Sequence, residues 1–349
     1  MTHAADITRS DRILGCLLGG AIGDALGAPV EFWSSERIAR ERTDGVRTYL
    51  PSGYGDALGL VTDDTQMTLF TLEGLIRAKQ DSSLDPIVEV HRSYVEWWRT
   101  QTLDGPPVDA VPGSLAAEAW LYSRRAPGVT CMSAVQQTAQ DGHLGRPATN
   151  DSKGCGAVMR SAPFALVGLQ DAADLAVRAA ALTHGHPSGQ VSSGALVVML
   201  ESLLAGGDLS HAVALALDWC EGVTGGEETR EALMRALAAD RLGASPSATT
   251  LERLGGGWVG EEALAIAVFC ALSFPERDEV LDALSLAISH GGDSDSTGAI
   301  CGHLVGALHG VQAFPPALAR GCEGHATLRR FAWETESAGQ VRDSRGRHV

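Results

Sequence analysis

The sequence is poor in aromatic residues and has no excess of positive charge. Aromatic residues make up 5% of its 349 residues, whereas glycine occurs 41 times and hydrophobic residues account for 44%. This composition suits closely packed helices better than a β-sandwich. The formal net charge is −16, so the basic surface of a general nucleic-acid or acidic-membrane binder is missing. A small anionic ligand remains compatible, because bound metal ions reverse the field locally.

The cysteines and the N-terminus give no sign of export. Seven cysteines are an odd number without a CxxC pair, which favours reduced buried thiols over a disulfide framework or a thiolate zinc site. The first twelve residues lack the layout of a signal peptide. The apolar stretch 13–28 contains Asp24 and is too short to span a bilayer. The sequence therefore predicts a cytoplasmic protein without a membrane partner.

Helical periodicity dominates the chain. Thr8 and Asp11 form a capping-box pattern before the first apolar helix. Asp85 followed by Pro86 is typical of a further helix start. Helical patterns recur at 65–79, 157–168, 172–183, 189–205, 209–221, 227–241, 260–273, 277–289, 296–312 and 325–334. The predicted fold class is all-α.

Loops rich in glycine, proline and polar residues separate these helices at 27–60, 101–114 and 142–156. The first of them is long enough to indicate a functional role. Neither an internal repeat nor a clear linker interrupts the chain. We therefore expect one domain over residues 1–335, a polar tail over 336–349, and a monomer.

Two series of glycines follow a four-residue spacing, which keeps each series on one stripe of a helix. Their members are Gly15, Gly19, Gly23 and Gly27 in the first and Gly298, Gly302, Gly306 and Gly310 in the second. Glycine inside a helix costs about 1 kcal/mol relative to alanine. The series therefore need a packing reason, and they predict central helices that another backbone approaches closely.

Two short acidic segments carry the main functional signal. Residues 62–65 read Thr-Asp-Asp-Thr, and residues 293–296 read Asp-Ser-Asp-Ser. Neighbouring carboxylates converge only at a helix start or in a loop, because residues i and i+2 of a helix face apart. On geometry alone two interpretations stay open, namely simple helix caps and a shared site for a hard divalent cation.

A family resemblance favours the second interpretation. The sequence resembles the ADP-ribosylglycohydrolase family in six segments, from about residue 11 to 312. They are GCLLGGAIGDALGAPVEF (15–32), VTDDTQMTL (61–69), KGCGAVMRSAP (153–163), LTHGHPSG (182–189), WVGEEALAIAVFCAL (258–272) and HGGDSDSTGAICG (290–302). The resemblance implies a compact orthogonal helix bundle with two divalent cations, Mg²⁺ or Mn²⁺, in a central cleft.

The same resemblance implies the residues of that centre. The metal ligands would be Thr62, Asp63, Asp64, Asp293, Asp295 and Ser296. Many members have threonine where this chain has Ser296, whose hydroxyl can serve equally. Glu31 matches a mobile acidic residue that reaches the metals.

Substrate contacts are also implied. The loop before residue 157 would cradle an anion with its backbone, and His184 would line the ligand cleft; for the loop an ordinary helix cap is the alternative. Many members have asparagine where this chain has Cys155. The substrate-side residues are then Asp104, Ser152, Gly154, Cys155, Gly156 and His184.

The implied activity is hydrolysis of a glycosidic bond of ADP-ribose. The cations would hold the ribose diol and activate water, while Glu31 shares acid and base roles with Asp63 or Asp64. The partner would be an ADP-ribosylated arginine, serine, nucleic-acid base or small conjugate. Two alternatives remain: a two-metal phosphoesterase acting on a nucleotide, and a non-catalytic member such as the lens crystallins of this fold.

Overall fold

The computed structural model describes residues 7–339, and within them the chain forms sixteen α-helices. In chain order they are α1 Arg9–Gly27, α2 Ser35–Glu41, α3 Asp63–Gln80, α4 Pro86–Thr100, α5 Val129–Asp141, α6 Pro163–Val167, α7 Ala172–Ala180, α8 Pro187–Leu204, α9 Leu209–Gly222, α10 Glu227–Arg241, α11 Ala248–Leu254, α12 Gly260–Ser273, α13 Val280–Ala287, α14 Ser294–His309, α15 Pro316–Gly321 and α16 His325–Gly339. The predicted all-α class is confirmed. The β pairing in the described range is one isolated bridge between Gly154 and Val259.

Two predicted helix starts are confirmed at atomic detail. The Thr8 hydroxyl accepts a hydrogen bond from the Asp11 amide at 3.1 Å, and the Asp11 carboxylate accepts one from the Thr8 amide at 3.0 Å. The Asp85 carboxylate accepts from the Ile87 amide at 2.7 Å, with Pro86 in the first helical turn. These bonds satisfy amides that have no partner inside the helix.

The prediction of one helix over 157–168 is wrong. The structure has a short 3-10 turn at Val158–Arg160 and a separate helix α6 that begins at Pro163. Proline has no amide hydrogen and its ring clashes with the preceding turn, so a helix starts at Pro163 instead of passing through it. Helix α2 lies inside the predicted loop 27–60, where the Ser34 hydroxyl caps it.

The predicted polar tail, 336–349, lies outside the described residues from 340 onward. Its first residues complete α16, which ends at Gly339.

The two glycine series pack against each other. A Cβ atom on Gly19 would overlap the carbonyl oxygen of Gly302, and one on Gly302 would overlap the carbonyl oxygen of Gly19. The same reciprocal overlap joins Gly23 with Gly298. Helices α1 and α14 are therefore antiparallel and in contact backbone to backbone. The contact brings the end of α1 beside the start of α14.

Helix α1 is the centre of the bundle. By length and composition alone, Arg9–Val30 could cross a membrane, but 89% of its most apolar window is buried inside the fold. Its apolar surface is covered by α14, α16 and α3, which all pack against it. This apolar segment is therefore a core helix of the bundle.

Candidate metal centre

Three element ends meet in one cleft of about 380 Å³. The chain leaves α1 through a short 3-10 turn, Ala28–Val30, and reaches Glu31. Helices α3 and α14 both begin at the same cleft. Its wall includes the five predicted carboxylates Glu31, Asp63, Asp64, Asp293 and Asp295. The antiparallel α1–α14 pair thus brings together two segments that lie more than 200 residues apart in the sequence.

Asp24 fixes the start of α3, and the sequence analysis did not assign it a role in the site. Its carboxylate is fully buried in α1 and accepts hydrogen bonds from two amides and two hydroxyls. The Thr62 hydroxyl donates at 2.9 Å and the Thr65 hydroxyl at 2.5 Å, and both amides also donate. The position of this aspartate inside a glycine-rich apolar helix could have indicated such a role, because a buried carboxylate requires hydrogen-bond partners.

The loop before α14 is held by close backbone contact. The Asp293 amide donates to the Gly256 carbonyl at 2.9 Å, and a Cβ atom on Gly292 would overlap that same carbonyl. Gly292 is therefore needed for close approach. The Ser296 amide donates to Asp293 Oδ1 at 3.3 Å and to Asp295 Oδ1 at 3.0 Å. These bonds turn both carboxylates toward the helix start.

The carboxylates form a tight cluster. Glu31, Asp293 and Asp295 each offer an oxygen within 4.8 Å of the other two. On the α3 side, Asp63 Oδ2 accepts from the Gly128 amide at 3.2 Å. Asp64 lies in the same wall and is 3% exposed. This many buried carboxylates repel one another unless protons or cations neutralise them.

Burial first, and this repulsion second, raise the pKa values of the carboxylates. Burial raises the pKa of Glu31 to about 8, with further contributions from the charges of Asp293 and Asp63. Burial also raises the pKa of Asp63 to about 7. The pKa values of Asp64 and Asp295 lie well above their ordinary range, first because of burial and then because of neighbouring carboxylates.

Two carboxylate oxygens are without a hydrogen-bond partner and lie in this wall. Glu31 Oε2 and Asp64 Oδ2 are both buried. Leaving such atoms unpaired is costly, and an all-oxygen cluster is the ligand set that Mg²⁺, Mn²⁺ and Ca²⁺ prefer. The residues present therefore fit a hard divalent cation.

The two predicted hydroxyl ligands differ in position. Ser296 lines the cleft. Thr62 is fully buried, donates its hydroxyl hydrogen to Asp24 and accepts from the Asp64 amide at 3.3 Å. One lone pair of the Thr62 hydroxyl remains for a cation.

The predicted anion cradle is only partly formed. Gly154, Cys155 and Gly156 line the cleft, but the Gly154 amide donates to Ser152 Oγ at 3.3 Å and the Cys155 amide to the Trp258 carbonyl at 3.1 Å. Those two amides are therefore engaged by the protein. The α-helix expected after the loop is wrong as well, because a 3-10 turn of three residues stands in its place.

His184 lines the cleft as a neutral side chain. Its Nδ1 lies 2.8 Å from the Thr183 hydroxyl, which accepts from Arg160 at 2.6 Å. Burial, followed by the charge of Arg160, lowers the pKa of His184 to about 3. The Thr183 hydroxyl has two possible acceptors for its own hydrogen, His184 Nδ1 at 2.8 Å and the Ala180 carbonyl at 3.4 Å.

The other two predicted substrate residues lie apart from the opening. Ser152 stands behind the cleft wall, where its hydroxyl lies 3.1 Å from that of Thr130, a residue that does line the cleft. Asp104 is exposed in the loop after α4 and, among the described residues, is not part of the cleft wall. The structure does not bring Asp104 to the site.

An aromatic pair at the cleft rim was missed. The rings of Phe32 and Trp258 stack with centroids 6.2 Å apart and an interplanar angle of 25°. They are 74% and 47% exposed. Their positions beside Glu31 and the loop at 154–156 come from tertiary packing, which periodicity does not predict. A larger hollow of about 430 Å³ lies elsewhere, where Glu73 is paired with Arg77 at 3.2 Å.

Comparisons with known proteins identify the family and the fold. The sequence profile of the ADP-ribosylglycohydrolase family matches residues 5–345. The ADP-ribosyl-dinitrogen reductase glycohydrolase of Rhodospirillum rubrum is 28% identical over 313 residues, which cover 87% of this chain and 88% of that protein. An uncharacterised protein of Archaeoglobus fulgidus is 29% identical over 312 residues, covering 85% and 87%. A solved structure described as an ADP-ribosylglycohydrolase-related protein complex superposes with a TM-score of 0.68 at 24% identity, covering 95% of this chain and 98% of that one.

Proposed function

The chain belongs to the ADP-ribosylglycohydrolase family, and on that premise we propose a metal-dependent hydrolase that releases ADP-ribose from an acceptor. The observation that carries the proposal is the convergence of Glu31, Asp293 and Asp295, whose oxygens lie within 4.8 Å of one another. Asp63 and Asp64 stand in the same wall. These residues would hold a divalent cation, which would supply charge neutralisation, binding of ribose hydroxyls and activation of water.

Glu31 and the two aspartates at the start of α3, Asp63 and Asp64, carry out proton transfer. Cleavage of a glycosidic bond needs one group that gives a proton to the leaving atom and one that takes a proton from water. Glu31 Oε2 is unpartnered in the cleft wall, so it is free to contact the leaving atom. Asp63 or Asp64, in the same cleft wall, takes the proton from water.

The remaining residues of the cleft wall orient the substrate. His184 presents a neutral imidazole to the cleft, and Thr130 adds a hydroxyl. The exposed faces of Phe32 and Trp258 offer an apolar surface to a planar group of the substrate. Together these residues leave the acidic end of the cleft for the ribose.

The test is a panel of ADP-ribosylated substrates carrying arginine, serine or a nucleic-acid base, each assayed with Mg²⁺ and with Mn²⁺. We expect free ADP-ribose from at least one substrate, and loss of about 10²–10⁴-fold in rate for Glu31→Gln. Asp295→Asn should also abolish release. Asp104→Asn, a matched exposed aspartate outside the cleft, should behave as wild type.

Other products would contradict the proposal. A nucleoside monophosphate in place of ADP-ribose would indicate the two-metal phosphoesterase. No product from any substrate, together with no cation binding by calorimetry, would indicate a non-catalytic member of the fold.

A further inference from the structure

Arg160 is a buried arginine that contacts no carboxylate among the described residues. Its side chain belongs to a residue that is 1% exposed. The guanidinium donates to the Thr183 hydroxyl at 2.6 Å and to the sulfur atoms of Cys131 at 3.1 Å and Met67 at 3.3 Å. It also lies over the Tyr94 ring, 4.4 Å from the ring centroid. Arginine stays protonated in proteins, so a positive charge is buried here without a counter-ion, which is costly.

Arg160 stands directly behind one wall of the cleft. Cys131 and His184 both line the cleft. Cys131 contacts Arg160 through its sulfur, and His184 is linked to Arg160 through the Thr183 hydroxyl, which lies 2.8 Å from His184 Nδ1. Gly156 adjoins both, since a Cβ atom there would lie 3.0 Å from Cys131 Sγ and 3.3 Å from His184 Cε1. One layer of residues therefore separates the guanidinium from the open cleft.

The cleft wall contains five carboxylates and, within the described part of the chain, no lysine or arginine, whereas the diphosphate of ADP-ribose is negatively charged. We propose that Arg160 is the positive charge that attracts this diphosphate to the wall formed by Cys131, Gly156 and His184. The inference rests on the proposed function and adds a positioning residue to it. Arg160 acts through the wall and does not touch the substrate.

The charge of Arg160 acts on the groups at this surface. Burial first, and the charge of Arg160 second, lower the pKa of His184 to about 3. Burial raises the pKa of the Cys131 thiol, and the charge of Arg160 opposes that rise. Helix α5 adds a field of the same sign, because its first turn lies in this wall and no side chain caps it. An anion at the wall therefore meets two sources of positive potential.

The expected size of the effect follows from Coulomb's law. At an effective dielectric constant of about 20, two unit charges about 7 Å apart change a binding constant by roughly 10- to 100-fold. This separation corresponds to one intervening layer of residues. Salt screens such a buried charge less than it screens a charge on the surface, so the attraction persists at physiological ionic strength.

The competing explanation is that Arg160 only holds the wall together through its hydrogen bonds. Arg160→Gln removes the charge and keeps an amide donor. The pair Thr183→Asp and Thr183→Asn keeps Arg160 in place. The aspartate puts a carboxylate beside the guanidinium and neutralises it, whereas the isosteric asparagine does not. Arg12→Gln is the control for loss of charge, because Arg12 also donates to backbone carbonyls, those of Ala307 and Leu308, at the opposite end of α1 from the cleft.

The experiment compares two ligands by calorimetry on the full chain with Mn²⁺. ADP-ribose carries the diphosphate, and adenosine has the same nucleoside without any phosphate. Arg160→Gln and Thr183→Asp should weaken ADP-ribose binding by about 10- to 100-fold and adenosine binding by less than about threefold. Thr183→Asn and Arg12→Gln should keep the wild-type ratio of the two affinities.

Two results would overturn the proposal while ADP-ribose release by the wild type stands. One is an equal loss of affinity for both ligands in Arg160→Gln, which indicates a purely structural role. The other is equal ADP-ribose affinity in Thr183→Asp and Thr183→Asn, and this pair decides alone if Arg160→Gln does not fold. A wild type that neither binds nor releases ADP-ribose would remove the proposed function itself.

Discussion

Asp24 shows how one buried residue of the central helix controls the site from outside it. The carboxylate lies in α1, yet its four donors all belong to Thr62 and Thr65, which flank the two aspartates at the start of α3. The Asp24 carboxylate accepts hydrogen bonds from the amide and the hydroxyl of both threonines. Because these bonds fix the first turn of α3, they set where Asp63 and Asp64 point. Asp24 is therefore a positioning residue.

We expect Asp24→Asn to weaken cation binding by about 10- to 100-fold, since an amide has one acceptor oxygen and would turn hydrogens toward donors. Calorimetric titration with Mn²⁺ measures the change. A matched pair at Thr65 controls for packing: Thr65→Ser keeps the donor to Asp24, and Thr65→Val removes it. Equal affinities in that pair, or wild-type binding by Asp24→Asn, would refute the positioning role.

The raised pKa of Glu73 predicts that the stability of the fold depends on pH through a group away from the metal centre. Burial raises its pKa from 4.5 to about 7, although the charge of Arg77 acts in the opposite direction. The folded protein therefore holds this proton more tightly than the unfolded chain does. Its contribution to the free energy of unfolding is present below pH 4.5 and is lost as pH rises through about 7.

Glu73→Gln mimics the protonated form and should remove this dependence. As pH rises from 4.5 to about 7, the free energy of unfolding of the wild type should fall by about 1–3 kcal/mol relative to that of the variant. Urea titrations at several pH values measure this difference. Glu334→Gln, in the same hollow but with a side chain 28% exposed, is the control substitution. Parallel curves for Glu73→Gln would contradict the assignment.

The limits of sequence prediction are clearest at this scale. Asp63 and Asp64, like Asp293 and Asp295, lie close together in sequence at a helix start, but only the family resemblance predicted them as metal ligands. Phe32 and Trp258 were not, because they meet only after α1 and α12 have packed. Asp104 was placed by local similarity in a loop, and a loop without buried contacts has no constraint that carries it to the cleft.

At the scale of elements, the α1–α14 contact explains why seven of the eight glycines are tolerated in helices; Gly310 follows the last residue of α14. Each helical glycine of the two series lowers helix stability. The close approach of the two backbones offsets this loss through packing that a Cβ atom would prevent. The spacing of four predicted the flat stripes. It did not predict that the two stripes face each other, because either could have met a different helix.

We expect Gly302→Ala to destabilise the fold by about 1–3 kcal/mol, because its methyl group would overlap the Gly19 carbonyl and neither backbone can move aside. This sign is opposite to the usual effect of alanine in a helix. Gly222, the last residue of α9, has open space around its Cβ position. Gly222→Ala should stabilise by about 0.4–1 kcal/mol. Chemical denaturation measures both, and a stable Gly302→Ala would disprove the close contact.

At the scale of the whole molecule, the cleft concentrates negative charge in a protein whose net charge is already −16. Five carboxylates line it and at least two of their oxygens have no partner. Repulsion in the metal-free protein therefore opposes folding, and a cation that binds only the folded state relieves it.

Addition of Mn²⁺ to chelator-treated protein should raise the free energy of unfolding by about 2.7 kcal/mol when the free cation is about 100 times Kd. Thermal melts with and without chelator measure the effect. Asp295→Asn should respond little, since it lacks one of the clustered ligands. An unchanged melting temperature in the wild type would contradict a metal centre in the cleft.

The α1–α14 pairing also sets an order of events during synthesis. Helix α1 ends at residue 27 and α14 spans residues 294–309, so about 280 further residues must be translated before the pair is complete. At 5–20 residues per second this takes roughly 15–50 s. For that time the nascent chain carries an apolar helix without its partner, which is a binding surface for chaperones. A ribosome that stops before α14 releases a chain that lacks three of the six predicted ligands, Asp293, Asp295 and Ser296, and whose core helix has lost the partner of its glycine face.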